Sequence, residues 1–121
     1  MNICRSLSLL FLFIVACTAS VPELDGFDAV SWKQDRNACG GERERLRANL
    51  LDQKDKLLGL SEMEMVDVLG KPDQQEIYKR SEKFFYYYLS PSSECETPSP
   101  SPERLAIRFN AVGLAKEISI D

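Results

Sequence analysis

Apolar residues along this chain follow a helical period in its middle and a strand period in its second half. Over 42–58, ERERLRANLLDQKDKLL, the leucines Leu46, Leu50 and Leu57 recur on one helical face, with Leu51 and Leu58 beside them. Glu42, Arg43, Glu44, Arg45, Arg47, Asp52, Lys54, Asp55 and Lys56 mostly fill the rest, so this charge run reads as the solvated side of one helix that ends at Gly59. A second helix is predicted from Ser61: its hydroxyl can cap a free backbone N–H, Glu64 three residues on completes a capping box, and Leu60 and Met65 fit a hydrophobic staple. Val66 and Leu69 complete its apolar face, and Gly70 and Pro72 end it. Further on the period becomes two. FFYYYLS is a strand with Phe84, Tyr86 and Tyr88 on one side and Phe85, Tyr87 and Leu89 on the other. RLAIRFN puts Leu105, Ile107 and Phe109 on one face, and NAVG suits a type I turn with Gly113 in the left-handed position. LAKEISI returns as the last strand, and QQEIYKR before Phe84 is a candidate first one, with Ser81-Glu82-Lys83 as the turn between. Ahead of all this, Asp28 can cap a brief helical turn that offers Phe27, Val30 and Trp32 for docking.

Helix, helix, then meander is the order of an α+β two-layer domain (α-α-β-β-β): two helices packed on one face of a three- to four-stranded antiparallel sheet, with Leu105, Ile107 and Phe109 against both helices. The Gly-Lys pair of GLSEMEMVDVLGKPD invites a phosphate-loop reading. A phosphate loop places its glycines before a helix N-terminus, whereas Gly70-Lys71 follows a helix whose C-terminal dipole repels anions. Here the pair is punctuation.

The first segment changes the picture. MNICRS carries one cationic side chain, LSLLFLFIV is apolar, and ACTAS is small, the order of a secretory signal. The apolar run is short for a membrane span. Ile14-Val15-Ala16-Cys17 resembles the lipobox of bacterial lipoproteins, cut before the cysteine; an ordinary signal that contains a cysteine is the competing reading. The chain therefore divides into a signal peptide at 1–16, a lipidated tether at 17–26 and a folded domain at 27–121. Cys17 would carry a thioether-linked diacylglycerol and an N-acyl chain, enough lipid for stable anchoring, and no other cofactor is expected. By the lipoprotein resemblance, Thr18 rather than Asp after the cysteine favours the outer membrane of a two-membrane bacterium.

Removing 1–16 takes one Arg from 15 cations against 19 acids, so the net charge moves from −4 to 14 − 19 = −5. An acidic chain argues against nucleic-acid binding as the main task and leaves anchoring to the acyl chains. Cys39 and Cys95 then remain, an even pair in an oxidising compartment, and predict one disulfide. Metal binding is the weaker rival, since the chain has no His and no C-x-x-C.

Catalysis finds little support. The commonest acid–base residue is absent, serines fall in caps and loops, and Glu62 and Glu64 do not face each other on their helix. No small-molecule substrate is expected. A protein-binding reading rests on the aromatic strand, with Tyr86 and Tyr88, or Tyr87, as candidate contacts; against it stands plain cross-strand pairing.

LLGLSEMEMVDVLGKPD, the aromatic strand and RLAIRFNAVGLAKEISI together resemble the SmpA/OmlA (BamE-like) lipoproteins over roughly residues 57–120. Gly59, Ser61, Val66, Leu69, Gly70, Pro72, Tyr86, Phe109 and Gly113 carry the resemblance. It implies the α-α-β-β-β fold and a lipid-anchored role, at the outer membrane, supporting the β-barrel assembly machinery. The same fold resembles secreted β-lactamase-inhibitor domains, which bind proteins. An inhibitor-like module on a secreted enzyme, or an anchored structural protein, are the alternative roles. Leu60 where the family usually has Met, the Cys39/Cys95 pair and the Pro/Ser-rich loop depart from the pattern.

Overall fold

The computed structural model describes residues 21–121. Among the described residues three α-helices precede a four-stranded antiparallel meander: α1 (Ala29–Gln34), α2 (Glu42–Asp52), α3 (Glu62–Leu69), then β1 (Gln74–Ile77), β2 (Lys83–Tyr88), β3 (Arg104–Phe109) and β4 (Ala115–Ile120), in spatial order β1-β2-β3-β4. The domain is thus the α+β fold expected, with the short α1 as a third helix. No described helix is long and apolar enough to cross a membrane.

Asp28 caps α1 by accepting from Ser31 N. Trp32 is fully buried, but Val30 is 64% exposed and docks nothing. A helix of six residues, under two turns, buries a single side chain here, and it is the indole. Helix α2 stops at Asp52, six residues short of the expected end, and a 3-10 turn (Lys54–Leu57) follows. At the break the Gln53 amide grips Asp25: it accepts from Asp25 N at 2.7 Å and donates to Asp25 O at 2.8 Å. The tighter turn buries Leu57 and leaves Leu58 exposed. Asn49 also donates to Asp25 O, and Leu24 and Phe27 pack on the core. The domain consequently reaches back to Leu24, into the segment expected as tether.

Helix α3 forms as its sequence requires. Ser61 accepts from Glu64 N, Glu64 accepts from Ser61 N, and Leu60 and Met65 are both buried. At its end the carbonyls of Leu69 and Gly70 accept from Trp32 Nε1 (3.1 Å) and the Tyr87 hydroxyl (2.8 Å). Gly70 has φ +80°, and a Cβ there would lie 2.9 Å from Lys33 Cγ. The Gly70-Lys71 backbone is therefore occupied by packing, with Lys71 O accepting from Arg36.

In the sheet Phe85 pairs with Ile107 and Tyr87 with Leu105, all facing the helices. Phe109 joins them, stacked edge-on against Phe85 at 4.7 Å. Each such side chain contributes about 1.5–3 kcal/mol by leaving water. A register shift at Arg108/Phe109 and Gly113 at φ +82° form the expected bulged hairpin into β4. Gly59 donates to Ala115 O and Leu60 O accepts from Ala115 N, so the chain ahead of α3 covers the start of β4. Cys39 and Cys95 are joined by a disulfide across 56 residues, tying the Pro/Ser-rich loop to the 3-10 turn Arg36–Ala38.

Candidate protein-interaction face

The sheet face turned away from the helices carries Phe84, Tyr86 and Tyr88 from β2, Arg104 and Arg108 from β3, and Glu76 from β1. Alternation along each strand puts them there. Tyr78 meets Phe84 edge-on at 6.0 Å, Phe84 stacks on Tyr86 at 5.8 Å, and the Arg104 guanidinium lies 3.8 Å above the Tyr86 ring. Arg104 also donates to Asp121 and Gln74, and Arg108 to Glu82. The Tyr86 hydroxyl donates to Glu76.

This layering changes the titration of its members. Burial under Arg104, then the nearby Glu76 charge, raise the Tyr86 pKa above its ordinary value. Burial works against the charge of Arg104, but Asp121 outweighs it, and the guanidinium pKa is raised. The face is a preformed aromatic–arginine layer whose side chains hold one another. Tyr and Arg so arranged lose little entropy on meeting a partner, which is why such residues dominate interface energetics.

Of the alternative contact sets, Tyr86 and Tyr88 or Tyr87, the structure leaves the first on the outer face. Tyr87 is fully buried between α1 and the sheet, its ring 6.3 Å from Trp32, and burial raises its pKa strongly. It is corrected to a core residue: its strand face is the one the helices cover. Tyr86 is only 7% exposed, because Arg104 covers it, and Tyr88 is partly exposed. Cys17, the signal at 1–16 and most of the tether lie outside the described residues.

A second cluster was not read from the sequence. Arg43, assigned to a solvated face, is fully buried. It donates to Asp73 Oδ2, to Trp32 O at 3.1 Å and to Tyr88 O at 3.3 Å, with its guanidinium 4.7 Å from the centre of the Trp32 ring. Asp73 also accepts from Asn37 N and Tyr88 N, and Asp35 accepts from Gly40 N and Arg43 N. Arg43 Nη2 is buried without a hydrogen-bond partner among the described residues. The Trp32 and Tyr87 rings, 4.7 and 5.9 Å from the guanidinium carbon, supply part of what that nitrogen lacks. A signal for this was present: Arg43, Leu46 and Leu50 stand at i, i+3 and i+7, on one stripe. The cluster welds α1, α2 and the start of β1 to β2, and apart from Arg43 Nη2 the polar groups named here bond to one another.

Comparisons of the chain with protein-family models, with curated proteins and with solved structures found no match.

Proposed function

We propose that this chain is a non-catalytic, lipid-anchored protein of the cell envelope, held at the outer membrane through acylated Cys17, and that it acts as a protein-interaction or assembly factor in the manner of the SmpA/OmlA lipoproteins. The observation that carries the reading is Ile14-Val15-Ala16-Cys17 closing an apolar leader, seven residues before Leu24. Seven residues extend to about 24 Å at most, so an acylated Cys17 would keep the domain beside the bilayer. The aromatic–arginine face, with Tyr88, Tyr86 and Arg104, supports a protein partner.

The test is co-purification of the tagged protein from mildly solubilised native membranes, with a Cys17→Ser form and a Tyr88→Ala/Arg104→Ala form beside it. Recovery of barrel-assembly subunits by the acylated protein, lost in both variants, is the expected result. Recovery of a secreted enzyme would replace it with the inhibitor-like reading. Recovery of no protein would leave an anchored structural role.

A further inference from the structure

Strand β1 is an edge, and all four of its residues are exposed. Tyr78 N donates to Glu82 O in the β1–β2 register, so Gln74, Glu76 and Tyr78 turn their peptide groups toward β2. Gln75 and Ile77 turn theirs to the open side, where no described residue bonds to them. Gln74–Ile77 contains no Pro, Lys or bulge and no described loop covers it, so only its four-residue length and the charge of Glu76 guard this edge. The opposite edge is guarded, since β4 is covered at its start by Gly59–Ser61 and carries Lys116 and Glu117.

Beside this edge, toward the helices, runs a groove of about 280 Å³ lined by Met63, Val66, Asp67, Gln75 and Phe85. Met63 is 81% and Ile77 78% exposed, the latter opposite Lys83, which pairs with Glu62. Two carboxylates without a cationic partner within 4 Å among the described residues frame the edge: Asp67 on the groove rim and Glu76 on the other sheet face.

From these observations we infer that β1 is a docking edge for an extended segment of a partner protein, with apolar side chains opposite Gln75 and Ile77 and a basic one opposite Glu76. Residues directly opposite in an added strand point to the same face. The apolar pair therefore enters the groove against Met63 and Val66, while the basic residue meets Glu76 on the outer face. Main-chain bonds to Gln75 and Ile77 supply the affinity and the alternating side chains the selectivity. A second copy of this chain lacks the basic residue at this position, and the two-fold pairing that joins both outward residues, Gln75 to Ile77, sets Glu76 against Glu76. The inference rests on the protein-interaction reading and adds to the aromatic–arginine face a second surface, the β1 edge. A membrane co-purification that recovers no partner would end that reading and leave strand docking to be decided by the experiment below.

That experiment uses the full-length chain in detergent micelles and two blocked peptides, acetyl-Thr-Val-Lys-Val-Lys-Thr-amide and its Glu-for-Lys counterpart, followed by NMR. The lysine peptide is expected to shift the Gln75 and Ile77 amides and the Met63 and Val66 methyls, and to bind at least about fivefold more tightly than the glutamate peptide. Glu76→Lys should reverse that preference. Gln75→Pro, which deletes an outward N–H and spares the bonds to β2, should abolish docking while the β2–β4 resonances persist. Shifts centred on Tyr86 and Arg104, equal binding of both peptides, no shift at millimolar peptide, or self-association through β1 would each overturn the proposal.

Discussion

At the scale of single residues, the buried Arg43–Asp73 pair is where one substitution does most damage. Removing one member of a buried pair strands the other, at about 3–5 kcal/mol, whereas replacing both by groups of similar shape is far milder. Arg43→Ala is expected to lower unfolding free energy by that amount in urea titrations, and Arg43→Met with Asp73→Asn to recover most of it. A loss below about 1 kcal/mol for Arg43→Ala would mean that water reaches the guanidinium. Tyr87 gives a second prediction. Its folded pKa lies above the unfolded value, so the native state holds the phenolic proton more tightly. That stability is complete below the unfolded pKa of about 10 and is lost as pH rises beyond it. Tyr87→Phe should cost about 1 kcal/mol at pH 7 through the lost bond to Gly70 O, and should flatten the decline of melting temperature above pH 10. A decline as steep as that of the parent would place the alkaline sensitivity elsewhere.

At the scale of elements, local sequence and local structure agree best where a cap or turn uses only neighbours. The Ser61/Glu64 box is one such unit. Ser61→Ala is expected to cost about 1 kcal/mol, and the double variant with Glu64→Ala to cost less than the sum of the singles, since each bond orients the other. Strict additivity in that cycle would show two independent bonds. The NAVG hairpin was legible for the same reason: Asn110 and Gly113 close it over four residues. The end of α2 was not, because the Gln53 amide that breaks it is held by Asp25, 28 residues away. Nor was the burial of Arg43, although its helical spacing lay in plain view, because its partner Asp73 comes from the turn into β1.

At the scale of the whole molecule, the disulfide binds the loop after β2 to the turn before α2. Ser92 N and Cys95 Sγ both approach Asn37 O, and Asn37 N donates to Asp73. Cys39→Ser with Cys95→Ser should reduce stability by about 2–5 kcal/mol and speed amide exchange around Asn37 and Ser92 more than in the β2–β3 ladder. Uniform acceleration across the sheet would show that the bridge acts only through the unfolded chain. The sequence by itself determined the order of elements, the capping box, the hairpin and the cysteine pair, since each follows from period, neighbour chemistry or simple counting. Only the tertiary structure decided which face of β2 is core, and so put Tyr87 inside while leaving Tyr86 and Tyr88 on the outer face. It also decided that Arg43 is inside and that β1 has no described neighbour on its outer side. Periodicity divides a strand into two faces without saying which one the helices will cover, and it carries no information about which edge of a sheet will find no neighbour.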